Sequence, residues 1–168
     1  MNLPTAMILF TNGLMFYKKN ENDVLGYVIM PNHLHLLLYY KKNAQSLNTI
    51  VGNGKRFIGY DLVKRLSNLN HVDLLGDMQL AVNAKDRQRN KKHQIWQGTF
   101  EAKQCRTEKF ILQKLHYIHN NPCSEKWKLA DKPVNYKYSS AGFYSGDKEG
   151  YRIKDYLDVL AEITYDHE

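Results

Sequence analysis

The stretch that decides the fold is Gly26–Tyr40, GYVIMPNHLHLLLYY. Two runs of β-favouring residues, Tyr27–Met30 and Leu34–Tyr40, flank a Pro-Asn step that is typical of a turn or a bulge. Successive side chains of a strand point to opposite faces, so His33 and His35 share one face and the leucines take the other. Two imidazoles on one face can bind a divalent metal ion, although a strand with two half-exposed histidines has the same pattern. A metal site also needs a third ligand from elsewhere in the chain.

Composition and charge indicate one globular domain with an anionic partner. The chain has 168 residues, of which 43% are hydrophobic and 24% charged, which is ordinary for a domain with a buried core. Its 24 Lys and Arg residues against 17 Asp and Glu residues give a formal charge of +7, which favours a partner such as nucleic acid. The two cysteines have no CxxC spacing, and no apolar run approaches the length of a membrane span. We therefore expect a reduced, cytoplasmic protein without a membrane partner.

Apolar residues that recur at helical spacing predict four helices, at Met7–Lys19, Leu47–Leu66, Glu108–Asn121 and Tyr151–Ile163. A strand is the competing interpretation of the first, because that run is so apolar. Thr107 fits the N-cap of the third helix, and Pro122 marks its end because proline disfavours helical geometry in the preceding residue.

The remaining segments carry weaker signals. His71–Gln94 is predicted to be the least structured, and its Lys85–Lys92 stretch, KDRQRNKK, has five basic residues and one acid. A DNA-binding loop and a merely soluble loop fit this stretch equally well. His93–Arg106 has apolar residues spaced for a strand, bent at Gly98. Cys123–Tyr144 is expected to be an aromatic loop.

Basic side chains on the second predicted helix, in the basic loop and on the third helix are candidate contacts for a DNA backbone. For the first two groups, a solvated surface charge is at least as good an interpretation of each residue taken singly. The candidates are Lys55, Arg56, Lys85, Arg87, Arg89, Lys91, Lys92 and Lys114.

The third helix carries candidate catalytic residues. Tyr117 and Asn121 are four residues apart and project from one face, and Lys114 lies three residues before Tyr117 on that side. A phenol, an amide and a cation in this order can serve a phosphate as nucleophile, metal ligand and charge partner. From spacing alone, a tyrosine packed on the core with Asn121 capping the helix is the better interpretation.

Five segments occur in an order that resembles the single-tyrosine HUH transposases, specifically the REP-associated tyrosine transposases and their insertion-sequence relatives. The segments are MPNHLHLLL (30–38), KRF (55–57), WQGTFEAKQCRTEKF (96–110), LHYIHNNP (115–122) and YKYSSAGFY (136–144). The His-x-His pair in the first and the tyrosine in YIHNNP are the family's two signature blocks.

The resemblance implies a DNA transposase that cleaves and rejoins single-stranded or hairpin DNA. It implies that His33 and His35 bind Mg²⁺ or Mn²⁺, with Asn121 as the third ligand by its position. It also implies that Tyr117 is the nucleophile, which forms a 5′-phosphotyrosine intermediate with a free 3′-hydroxyl on the other fragment. We expect a monomer or a homodimer, since both occur among relatives.

The resemblance also implies an α+β, ferredoxin-like fold, with a central antiparallel sheet and helices packed on it. Relatives begin with an extra strand before the helix that matches Met7–Lys19, and six residues precede that helix here. Either Met1–Ala6 replaces this strand or the sheet lacks it, as in a truncated copy. The main alternative function is therefore a non-catalytic or truncated, domesticated protein that binds DNA hairpins. A relaxase-type nicking enzyme and a plain His-x-His metalloprotein are further alternatives.

Overall fold

The computed structural model describes residues 22–40, 45–98, 100–147 and 153–165, which form a mixed α and β structure. Its elements are β1 (Asp23–Ile29), β2 (Leu34–Tyr39), α1 (Leu47–Asn68), α2 (Val72–Leu80), α3 (Ala84–Gln88), α4 (Glu108–Asn120), α5 (Ala141–Tyr144) and α6 (Tyr156–Tyr165), with 3₁₀ turns at Asn121–Cys123 and Pro133–Asn135. This mixed content is compatible with the predicted α+β class, and the ferredoxin-like arrangement stays a prediction. The predicted helix Met7–Lys19 and the substitute strand Met1–Ala6 lie outside the described residues.

The two strands form an antiparallel hairpin around the Pro-Asn step. The backbone N–H of Met30 donates to the carbonyl of His33 at 2.9 Å, which closes the turn. The register pairs Val28 with His35, so the second histidine lies near the turn end of the hairpin. The turn and the two strands are where the sequence predicted them.

Side chains pack on both faces of the hairpin, as the alternation predicts. One face carries the histidines and Leu37, and it packs against Leu115 and Ile118 of α4. The other face carries Leu34 and Leu36, whose cluster includes Ile50 of α1. The first turn of α1, at Ile50, therefore packs on the face of the sheet opposite to the histidines.

The helix α4 approaches β1 closely at Gly26. A Cβ atom added there would lie 2.5 Å from Leu115 Cδ2, well inside van der Waals contact. The strand is irregular here, since the pairing register shifts between Val24 and Gly26. Glycine therefore permits the close helix–strand contact that fixes the distance of α4 from the histidine strand.

The segment Cys123–Tyr144 forms a short pairing with β1, on the edge of β1 that does not pair with β2. An antiparallel bridge joins Val28 to Ser139. The phenols of Tyr136 and Tyr144 donate to backbone carbonyls of β1 at 2.8 and 2.6 Å. This segment, expected to be a loop, in part lines the sheet.

Two segment predictions are wrong. His71–Gln94 is predicted to be the least structured segment, but it folds into α2 and α3, because apolar side chains of α2 pack against Leu62 and Leu66 of α1. The described part of His93–Arg106 forms no strand. Its apolar side chains instead pack on α1, where Trp96 Nε1–H donates to the Lys55 carbonyl at 2.8 Å.

The helices α1, α4 and α6 confirm three predicted helices with shifted ends. Thr107 is the N-cap of α4, as predicted, because its hydroxyl accepts a hydrogen bond from the Phe110 N–H at 3.3 Å. In the ranges that the structure describes, no helix is both long enough and apolar enough to cross a membrane.

Candidate active site

The two histidines lie side by side at the start of β2. Their ring centroids are 4.9 Å apart and the rings meet edge to face. His33 follows the hairpin turn, and its Nδ1 lies 2.7 Å from Asn32 Oδ1. Both histidine side chains are half-buried, so the pair forms a partly desolvated wall on the α4 face of the sheet.

His35 is the point where strand and helix meet. Its ring centroid is 5.4 Å from that of Tyr117, and its Nε2 is 3.2 Å from the amide nitrogen of Asn121. The (i, i+4) spacing on α4 thus brings the predicted nucleophile and the predicted third ligand to one imidazole. Side chains from two segments that are distant in the sequence, β2 and α4, therefore converge here.

The structure contradicts the alternative role of Tyr117 but agrees with that of Asn121. Tyr117 is 55% exposed, so its ring is not part of the core. Asn121 is the C-cap residue of α4, as the alternative expects, and its backbone N–H donates to the Ile118 carbonyl. Its side-chain amide nitrogen lies 3.2 Å from His35 Nε2, so the cap and a contact with the histidine are compatible. Tyr117 and Asn121 are therefore both available to a ligand at the protein surface.

Electrostatics keeps both imidazoles neutral. Burial lowers the pKa of His33, and the nearby Lys126 ammonium group lowers it further. Burial also lowers the pKa of His35, with a smaller contribution from the charge of His33. Neutral imidazole is the form that binds a metal ion, so neither ring has to lose a proton at neutral pH.

The donor set is compatible with a divalent metal ion held by His33, His35 and Asn121. Adjacent ligand atoms about 2.1 Å from one ion lie about 3 Å apart, close to the 3.2 Å between His35 and the Asn121 amide. Rotating the amide by half a turn presents its oxygen at that position. Within the described ranges, no three His, Cys, Asp or Glu side chains are grouped to hold a metal, so the amide is needed to complete this set.

Lys114 lies on the side of Tyr117 away from Asn121. Its ammonium group is 5.9 Å from the centroid of the Tyr117 ring and 5.0 Å from that of Phe110. Both distances are typical of a cation over an aromatic ring. The predicted cation therefore lies next to the predicted nucleophile, as the helix spacing indicates.

The other predicted DNA contacts are spread over the surface. Arg87 donates to three backbone carbonyls at the end of α2, and Lys91 pairs with Asp86 at 3.0 Å. These two side chains therefore have local structural partners. All five basic residues of the segment are exposed, including Lys85, Arg89 and Lys92.

Two further candidates lie on α1, across the sheet from the histidines. Lys55 donates to the Gly98 carbonyl at 3.3 Å and lies 5.5 Å from the Trp96 ring. Arg56 is exposed, with its guanidinium 5.5 Å from the centroid of the neighbouring Phe57 ring. The structure does not bring either residue to the candidate active site.

The structure adds two residues that sequence analysis missed. Trp127, in the turn after α4, has its ring 5.5 Å from that of His33. The ammonium group of Lys126 lies 5.2 Å from the same tryptophan ring. No spacing rule links residues 126 and 127 to the His-x-His pair, so only the fold reveals this contact.

No protein-family model, curated protein or solved structure matches this chain. The resemblance to HUH transposases thus stays a prediction that depends on the sequence segments quoted above.

Proposed function

We propose that this protein cleaves and rejoins single-stranded DNA through a 5′-phosphotyrosine intermediate on Tyr117. The observation that carries the proposal is the position of His35, whose ring contacts both the exposed Tyr117 phenol ring and the Asn121 amide. A nucleophile beside a group of metal ligands is the arrangement that phosphoryl transfer requires. The sequence segments shared with tyrosine transposases point to the same reaction.

Tyr117 supplies the nucleophile. In the cleavage step its phenolic oxygen bonds to phosphorus while the bond between phosphorus and the 3′ oxygen breaks. The phenol proton passes to solvent, and the departing 3′ oxygen takes up a proton to become a free hydroxyl. In the rejoining step a 3′-hydroxyl attacks the phosphotyrosine and releases the phenol. Each step exchanges one phosphate ester for another, so no nucleotide cofactor is needed.

His33, His35 and Asn121 would hold the metal ion. When bound, Mg²⁺ or Mn²⁺ supplies a Lewis acid that offsets negative charge on the phosphate oxygens. The protein keeps the two imidazoles neutral through burial. The hairpin and α4 keep the three side chains in place, so little reorganisation accompanies substrate binding.

Lys114 is the proposed charge partner of the phosphate, because its ammonium group lies beside the Tyr117 ring. Lys55 and Arg56 of α1 and the basic residues of the Lys85–Lys92 segment are proposed to bind the DNA backbone farther from the cleavage point, with a salt-dependent affinity. The cations on α1 lie across the sheet from the histidines. They therefore contact a different part of a DNA hairpin from the part that reaches Tyr117.

The test is a gel assay for covalent capture of end-labelled hairpin DNA, with Mn²⁺ or with EDTA. Wild-type protein should form an adduct only with the metal, and Tyr117→Phe should form none while still binding DNA. Tyr60→Phe is the matched control, because Tyr60 is also exposed, at 67%, but lies on α1. Binding without an adduct, on a substrate shown to be bound, would instead support a non-catalytic hairpin-binding protein.

A further inference from the structure

The turn that follows α4 carries two lysines in different environments. Lys128 pairs with Glu125 at 2.9 Å, and both side chains are exposed. Lys126 instead lies over the Trp127 ring at 5.2 Å. Among the ion pairs of the described residues, none involves Lys126. Its charge is therefore available to an outside anion.

Trp127 places this cation at the edge of the candidate metal site. The tryptophan ring is 5.5 Å from the ring of His33, and it is half-buried against the core. An ammonium group on a fixed aromatic ring is more ordered than one on a free side chain.

Neighbouring groups form a continuous row across the site, with a cation at each end. Successive members are between 4.9 and 5.9 Å apart. In order, they are Lys114, Tyr117, His35, His33, Trp127 and Lys126. A strand whose scissile phosphate lies at the middle of this row has a positive charge on both sides.

We infer that Lys126 binds a DNA backbone phosphate next to the scissile one, on the opposite side from Lys114. This inference rests on the proposed function, because it assigns a second contact to the same substrate. The ligand is a phosphodiester of single-stranded DNA. The two cations hold the strand on both sides of Tyr117, which fixes the scissile phosphate relative to the phenol.

The first test measures binding alone, by fluorescence anisotropy of labelled hairpin DNA in EDTA. Every variant also carries Tyr117→Phe, so no covalent step contributes. Lys126→Gln should weaken binding about threefold to tenfold at low salt and reduce the salt slope by about 0.7, as expected for one lost phosphate contact. The neighbouring Lys128→Gln is the matched control and should change both values less, because Lys128 is already paired. Equal effects of the two substitutions would overturn the inference.

The second test locates the phosphate. A neutral methylphosphonate is placed, one position at a time, beside the scissile bond. At one position, the methylphosphonate should weaken DNA binding by the protein that has Lys126. In Lys126→Gln, the methylphosphonate at that position should cause little further loss of DNA affinity. Lys126→Arg should restore the wild-type response to the methylphosphonate. If the losses of affinity caused by the methylphosphonate and by Lys126→Gln add at every position, the inference is overturned. If wild-type protein forms no adduct but this coupling is found, the proposed chemistry fails while the Lys126 contact stands.

Discussion

The substitution Gly26→Ala tests whether the contact between β1 and α4 sets the geometry of the candidate site. The new Cβ would lie 2.5 Å from Leu115 Cδ2, with Leu37 and Ser140 also within 4 Å. An ordinary carbon–carbon contact is about 3.5 Å, so Leu115 or the helix has to move by about 1 Å. Leu115 is buried and has little room to rotate away.

Overpacking of this kind typically costs about 1–3 kcal/mol of stability, and Gly26→Ala should lower the free energy of unfolding by that amount in urea titrations. A shift of about 1 Å between Tyr117 and His35 should also reduce the rate of adduct formation by up to about 100-fold. Gly76→Ala is the control, because a Cβ atom at Gly76 meets nothing within 4 Å. This substitution should add about 1 kcal/mol to the stability of α2. Wild-type stability and a wild-type rate in Gly26→Ala would refute this account of the helix–strand contact.

Three other predictions concern metal binding and pH. His35→Ala should lower Mn²⁺ affinity in calorimetry more than Asn121→Ala, because an amide oxygen is a neutral, weaker ligand; an equal or larger loss with Asn121→Ala would reverse this ranking. The same titrations should show tighter binding of Mn²⁺ than of Mg²⁺, which prefers oxygen ligands, and a preference for Mg²⁺ would count against the two histidine ligands. Burial, with a smaller effect of the His116 charge, lowers the pKa of His119 to about 4 from the ordinary 6.5, and its Nε2 lies 2.8 Å from Ser140 Oγ. As the pH falls, His119 is therefore protonated in the unfolded chain before it is protonated in the folded protein. The contribution of neutral His119 to the free energy of unfolding is complete above about pH 6.5, and it should fall by about 3 kcal/mol as the pH drops to 4. In His119→Gln this part of the loss should be absent, and an identical pH profile in the two proteins would contradict the assignment.

The parts of the fold that the sequence predicts are those set by local rules. The alternation of His33 and His35 with leucines follows from strand geometry, and both faces of the hairpin are used as expected. Thr107 and Pro122 mark the ends of α4 through backbone chemistry that involves only a few neighbouring residues. The (i, i+4) spacing then places Tyr117 and Asn121 on one face without any knowledge of the fold.

The parts that the sequence did not predict depend on contacts between distant segments. The helix α2 forms in a segment rich in polar residues because its apolar side chains have α1 to pack against. Trp96 lies in an apolar pattern that resembles a strand, but its indole bonds to the backbone of α1. Likewise, the choice between core packing and surface exposure of Tyr117 cannot be made from spacing, since both produce the same four-residue interval.

The central claim is that Tyr117 itself becomes covalently linked to DNA. The most direct measurement is mass spectrometry of the metal-dependent adduct after digestion with a protease and a nuclease. The account predicts a nucleotide attached through its 5′ phosphate to the peptide that contains Tyr117. A nucleotide on any other residue, or no adduct with a hairpin that the protein binds, would contradict it.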